Sequence, residues 1–373
     1  MPKTTSRNLG LDAVRAVAIM LVLIGHSTPF YSPILEHYHV DPLGWREITG
    51  CMGVELFFCL SGFLIGGILL GLEAAGLSWG RISIFYIRRW MRTLPLYYFV
   101  LFALSDFPQL DPHLRGRFLS FVTLTQNLLG SMPTGGWFAI SWSLTIEEWS
   151  YLLLPLVVFG VFGRAKRPVL WGTLAMCLLA FSVRVVLLSR AGSWDSIIRT
   201  SVAGRLDAIC YGVLSVVVYR QFRAAYARWI RRFWWIMVAV FVLHVGLFYR
   251  YSVLDGIYGR VFALPVMSLA FSSLLPLITG FQMRGAMTAV IRFVSTTSYV
   301  MYLFHWPIYF LTVEHLANRP CLLLPAFILG TVFVSGLVSY LVEQPILRMR
   351  PSQYGRGGSQ PIAFSARPPA SPR

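Results

Sequence analysis

The sequence predicts an all-α polytopic membrane protein, and three observations carry that prediction. Of its 373 residues, 56% are hydrophobic and 13% charged, with a mean hydropathy of +0.65, a balance that a water-soluble domain does not keep. Apolar stretches of about 20 residues, the length that crosses a hydrocarbon core of roughly 30 Å, recur along the chain. The basic residues between them collect in alternate connections.

Taken in order, ten stretches qualify, near 9–29, 51–72, 93–108, 140–163, 168–189, 199–219, 233–250, 258–279, 292–313 and 321–343. The first, LDAVRAVAIMLVLIGH, imitates a signal peptide. Asp12 and Arg15 interrupt its core, however, and no small-x-small cleavage site follows Gly25, so it reads as an uncleaved span. The third is the shortest. Cys51, Cys59, Cys177, Cys210 and Cys321 lie in or at the ends of spans with neither zinc nor disulfide spacing, so they read as small apolar fillers and no metal site is expected. From residue 351 the composition turns to Pro, Gly, Ser and Arg, which cannot bury a core. The expected organisation is one membrane-embedded domain, 1–350, and a disordered cytoplasmic tail, 351–373.

A net charge of +17 invites comparison with nucleic-acid-binding proteins, and its distribution decides against them. Lys3, Arg7, Arg81, Arg88, Arg89, Arg92, Arg164, Lys166, Arg167, Arg220, Arg223, Arg228, Arg231, Arg232, Arg284, Arg348 and Arg350 fall on one side of the predicted spans. The other side holds little beyond Arg46, Arg115, Arg117, Arg190, Arg250 and Arg319. By the positive-inside rule both termini are cytoplasmic, which an even number of spans requires. Short basic loops spread along a bilayer do not form the single charged groove that a nucleic acid needs.

Ionisable residues inside the spans point to function, because such groups face a bundle interior or a water-filled path. Arg15 and His26 are eleven residues apart, three helical turns plus about 20°, so they share one face of the first span about 16 Å apart along its axis. Asp12 and Arg15 at i, i+3 also suit a simple ion pair. By span direction, His26, Glu55, Glu147 or Glu148, Arg205, Asp207 and His305 share the outer half-layer and are expected to line one polar chamber, with ion pairing such as Arg205 to Asp207 as the structural alternative. On the inner side, RISIFYIRRWMRTLPLYY sets Arg88 and Arg92 at i, i+4 beside Arg89. Such a cluster suits phosphate groups, or membrane lipid, since a basic amphipathic helix also rests on anionic headgroups.

The ordered segments LDAVRAVAIMLVLIGH, GVELFFCLSGFLIG, RRWMRTLPLYY, WSLTIEEWSYLLLP, GRLDAICYG, SYVMYLFHWPI and VEQPILR resemble the acyltransferase-3 family of integral membrane O-acyltransferases, over about residues 9–350. The resemblance implies transfer of an acyl group, most often acetyl, from cytoplasmic acyl-CoA to a sugar hydroxyl of a surface polysaccharide or glycosylated product, in the bacterial inner membrane. Acyl-CoA would be a co-substrate, with no bound cofactor. That family's signature Arg and His fall on Arg15 and His26, its basic donor-side motif on the RRWMR arginines, and its acidic WSL position on Glu147. Glu55 stands where many relatives carry Asp. Some relatives continue into a hydrolase-like periplasmic domain, and the short tail here resembles the stand-alone branch.

The residue chemistry suits this activity. An imidazole is a base in the range that activates a hydroxyl, which makes His26 the candidate base or acyl-carrying nucleophile, with Glu55 or Glu147 fixing its tautomer. Arg15 is expected to hold the donor's pantetheine arm or phosphates, and Arg88, Arg89 and Arg92 to receive its nucleotide end. Arg205 and His305 count with the substrate-binding residues, His305 being the alternative base. A polytopic transporter is the competing function, but no pair of related, Gly/Pro-broken halves is visible. The topology has a direct check: reporters fused at the N- and C-termini should both read as cytoplasmic, and an external C-terminus would overturn the depth assignments.

Overall fold

The computed structural model describes residues 8–76, 78–105, 114–128, 138–190, 192–249 and 254–351. Lys3, Arg7 and the tail from residue 352 lie outside the described residues. Within them, the chain is an all-α polytopic membrane protein whose helices, in order, are α1 (Leu9–Ser27), α2 (Ser32–His37), α3 (Pro42–Ala75), α4 (Trp79–Ser105), α5 (Leu114–Val122), α6 (Ser141–Pro155), α7 (Pro168–Leu187), α8 (Cys210–Gln221), α9 (Arg223–Tyr249), α10 (Leu264–Ile278), α11 (Ala286–Leu316), α12 (Pro320–Val338) and α13 (Gln344–Arg348). Among the described residues, seven stretches are long and apolar enough to cross a membrane: Leu9–Phe30, Pro42–Ala75, Ser141–Val161, Pro168–Leu187, Arg223–Leu247, Tyr258–Ile278 and Pro320–Arg348. The sides of the termini rest on the charge pattern alone.

The other three expected stretches depart from a plain apolar helix, each for a visible reason. The third is the end of α4, which joins it to the basic segment in one continuous helix. The sixth is broken by a 3₁₀ turn at Ala203–Arg205, and α8 beyond it has only 12 residues, a rise of about 18 Å. The ninth lies in α11, long enough at 31 residues but interrupted by Ser295, Thr297, Ser298 and His305 among its buried positions.

Local chemistry also moves one boundary. The second span was expected near residue 51, yet α3 begins at Pro42, because Asp41 accepts from the Leu43 and Gly44 N–H groups at 3.2 and 2.9 Å and Pro42 supplies a helical φ at the first position. At the start of α1, Asn8 accepts from Leu11 N–H at 3.1 Å and donates to the Thr279 carbonyl at 2.8 Å, pinning that end to the residue after α10. The bundle is organised around α1, which packs against both α3 and α11, while α3 packs on against α8 and α10.

The crossing of α3 and α8 depends on having no side chain at the contact. A Cβ on Gly62 would overlap the Ile209 carbonyl, and one on Gly212 would overlap the Cys59 carbonyl, so the two backbones meet where only glycine fits. Gly71, farther along α3, has open space around its Cβ position. Gly62→Ala should therefore destabilise the detergent-solubilised protein by about 1–3 kcal/mol through overpacking. Gly71→Ala should stabilise it by roughly 0.5–1 kcal/mol through helix propensity. Thermal unfolding of the two variants would show opposite shifts in Tm, and equal shifts would remove the close crossing from the account.

Candidate active site

A pocket lies between α1, α3, α4, α6 and α11, with about 690 Å³ of empty space including the solvent at its mouth, and its polar wall includes Arg15, Ser61, Arg89, Arg92, Glu147 and Tyr302. A second space of about 860 Å³ shares Arg15 and Arg92 with it and continues to Arg348 and Arg350. Arginines therefore wall both spaces. Of the basic motif, Arg89 and Arg92 line the upper cavity, whereas Arg88 donates to the Pro351 carbonyl and lines neither space. The i, i+4 face expected for Arg88 and Arg92 is thus divided between two partners.

Both signature residues of α1 meet α11. Arg15 Nη1 lies 3.5 Å from Asp12 Oδ1 and donates to Ser295 Oγ at 3.3 Å, while Ser295 donates to Asp12 at 2.8 Å. The local ion pair is present, and Arg15 still lines both spaces. Eleven residues on, His26 Nδ1 is 2.8 Å from His305 Nε2, and Nδ1 of His305 is 3.1 Å from the Met301 carbonyl oxygen. The two rings are nearly coplanar, 10° apart with centroids 5.0 Å apart, as an in-plane hydrogen bond requires.

The proton positions follow from the carbonyl. Met301 O only accepts, so His305 Nδ1 carries a proton. In the neutral ring its Nε2 is then an acceptor. With both rings neutral, His26 donates from Nδ1 and its Nε2 keeps a lone pair. His305 is completely buried, whereas His26 is half-buried. Tyr302 links the two regions, since it lines the cavity and its ring centroid lies 5.7 Å from that of His305.

The carboxylates do not converge on His26. Glu55 accepts from Arg205 Nη2 and from Ser268 Oγ, both at 2.6 Å, with every partner in the bundle interior. Asp207 pairs not with Arg205 but bidentately with Arg184, at 2.9 and 2.8 Å, and accepts from Tyr211 OH at 2.7 Å. Glu147 accepts from Ser61 Oγ at 2.6 Å and from the Tyr151 hydroxyl; Arg89 donates to that same hydroxyl at 2.7 Å and stacks over its ring at 4.4 Å. Glu148 accepts from Thr93 on α4. The single polar chamber expected from depth is therefore several separate clusters. Depth fixes height along a helix and leaves its rotation open.

Sequence reasoning passed over Ser61, Tyr151, Arg184 and Ser295. Arg184, a charge inside an apolar stretch, carried a readable signal. The hydroxyls carried none.

Comparison with known proteins finds a matching family and named relatives. A sequence model described as an acyltransferase domain matches residues 8–340. The chain is 23% identical over 361 residues to the putative peptidoglycan O-acetyltransferase YrhL of Bacillus subtilis, covering 90% of this chain and 54% of that protein. It is 26% identical over 378 residues to the peptidoglycan O-acetyltransferase OatA of Listeria monocytogenes, covering 93% and 57%. A shorter match, 25% over 227 residues, reaches the O-acetyltransferase OatA of Staphylococcus aureus, covering 57% of this chain and 35% of that protein. The chain thus spans little more than half the length of the first two relatives. No solved structure matches it significantly.

The Glu55 and Arg205 pair supports a stability test. Arg205→Met alone strands a buried carboxylate and should cost about 3–5 kcal/mol. Adding Glu55→Leu removes the stranded charge and should recover most of that loss. Thermal unfolding in detergent distinguishes the two; a double variant no more stable than the single one would show that the pair is not the source of the cost.

Proposed function

Because the chain belongs to the acyltransferase-3 family, we propose that it is a membrane O-acetyltransferase that moves an acetyl group from cytoplasmic acetyl-CoA to a sugar hydroxyl of a cell-surface glycan. Its place would be the bacterial cytoplasmic membrane. The relatives named for peptidoglycan support a polymeric sugar as acceptor. The observation that carries this reading is the line of groups along α1: Arg15 on the wall shared by the two arginine-lined spaces, and His26 about 16 Å farther along the axis, hydrogen-bonded to His305.

In the proposed reaction the acceptor hydroxyl gives its proton to His26 Nε2 as its oxygen attacks the thioester carbonyl carbon. A C–O bond forms and the C–S bond breaks. The departing thiolate recovers the proton from His26, so ester and free CoA thiol are the products and no charge is left behind. His26 is the catalytic base. His305 is a positioning residue, since its Nε2 holds the proton of His26 on Nδ1. Arg15 and Arg89 flank the donor, and Glu147 orients Arg89 through Tyr151 rather than serving His26.

The test is the O-acetyl content of surface glycan, read by mass spectrometry in cells carrying each variant at matched membrane abundance. His26→Gln should lower acetylation about 10²–10⁴-fold, the usual contribution of a general base. His305→Leu should approach the same loss, whereas His305→Gln, whose carbonyl oxygen still accepts from His26, should recover part of it. Wild-type acetylation by His26→Gln would overturn the assignment.

A further inference from the structure

The last described helix helps to wall the second space. Arg348 and Arg350, at and just beyond the end of α13, join Arg15 and Arg92 in walling the 860 Å³ space, with Glu343 as the carboxylate among its lining residues. Four guanidinium groups against one carboxylate give that wall a positive excess. Glu343 is itself buried and accepts from Ser339 Oγ at 2.6 Å within its own helical segment.

Residues 350 and 351 are stitched to α4. Arg350 Nη1 donates to the Arg88 carbonyl at 3.5 Å, its Nε donates to the Leu347 carbonyl at 3.3 Å, and Arg88 in turn donates to the Pro351 carbonyl. Burial first, then the like charges of Arg92, Arg88 and Arg89, push the Arg350 guanidinium down to about 10. These positive groups are held together by the fold although they repel, and an anion bound among them would relieve that repulsion.

We propose that this space is a polyphosphate site that takes the nucleotide diphosphate end of the acyl donor, with Arg348 and Arg350 as phosphate-binding residues alongside Arg15 and Arg92. The inference rests on the reading of the chain as an acyl-CoA-dependent enzyme and adds to it residues at and just beyond the end of α13. Guanidinium forks suit phosphate oxygens in pairs, and several forks around one space match a ligand with more than one phosphate group. Because Arg15 and Arg92 belong to both spaces, phosphates held here leave the donor's acyl arm directed into the upper cavity. A lipid headgroup offers the same phosphate chemistry, but Ser295 and Thr296 of α11 also line the space, which puts its wall between helices as well as at their ends.

Calorimetric titration of CoA, and separately of adenosine 3′,5′-bisphosphate, into the full chain in neutral phosphatidylcholine nanodiscs tests the site. The wild type should bind both. Arg348→Ala with Arg350→Ala should weaken binding roughly tenfold or more, since charge-assisted hydrogen bonds are lost, and Arg350→Lys should weaken it less. Arg228→Ala with Arg231→Ala, exposed residues outside the cavity, removes the same charge and should leave affinity unchanged. Melting curves confirm that each variant is folded. If the wild type binds CoA and the Arg348/Arg350 double variant binds it equally, the site is wrong while the donor reading stands. If the wild type binds neither probe, the donor reading fails. Adding phosphatidylglycerol should leave CoA affinity little changed; its competitive loss would identify the space as a lipid-headgroup site and overturn the proposal.

Discussion

An ionised side chain held away from water needs a partner at hydrogen-bond distance, and that constraint organises this bundle. Glu55 of α3 is matched by Arg205, and Asp207 by Arg184 of α7. The first pair joins residues 150 apart in sequence and the second residues 23 apart, and neither Glu55 nor Arg205, Asp207 or Arg184 lines the two cavities described. The pairs fix the rotation of α3 and α7 against the broken segment before α8, next to the glycine crossing of α3 and α8. The charges that line the first cavity, Arg15, Arg89 and Arg92, face Glu147 as its carboxylate, so its wall carries a positive excess.

Helix α1 connects the two chemistries. Arg15 meets α11 at Ser295 and His26 meets it at His305, so eleven residues on one helix match ten on the other, as two parallel neighbours require. The spacing of guanidinium and imidazole is set by a rigid helix rise of about 16 Å, and α11 fastens it at both heights. In the proposed reaction, a donor that grips one end would thereby be measured against the other. Loops would not hold that distance so closely.

Much of this was legible in the sequence because it depends on period and composition. The apolar runs, the common face of Arg15 and His26, and the basic character of RRWMR all follow from local spacing. The start of α3 at Pro42 was legible too, had Asp41 been read as a helix cap. What the sequence withheld was the choice of partners. Glu55, Glu147 and Asp207 lie at similar estimated depth, yet Glu55 turns to Arg205, Asp207 to Arg184, and Glu147 to Ser61 and Tyr151. Helix rotation decides among them, and rotation is a property of packing. The same holds for His26, whose partner proved to be an imidazole 279 residues away.

That imidazole partner has a physical consequence. A carboxylate beside His26 would orient the ring and stabilise the imidazolium, but in a low-dielectric interior it would carry its own desolvation cost of several kcal/mol unless otherwise paired. The sequence His26, His305, Met301 carbonyl orients the ring with no formal charge at any member. The arrangement is neutral in the resting protein, and in the proposed reaction a positive charge exists only between removal of the acceptor's proton and its return to the thiolate. During that interval the tetrahedral oxyanion is the counter-charge, so the stabilising electrostatics arise within the reacting pair itself. A neutral relay thus gives less help to the imidazolium than a carboxylate would, and asks less of the fold to keep it buried.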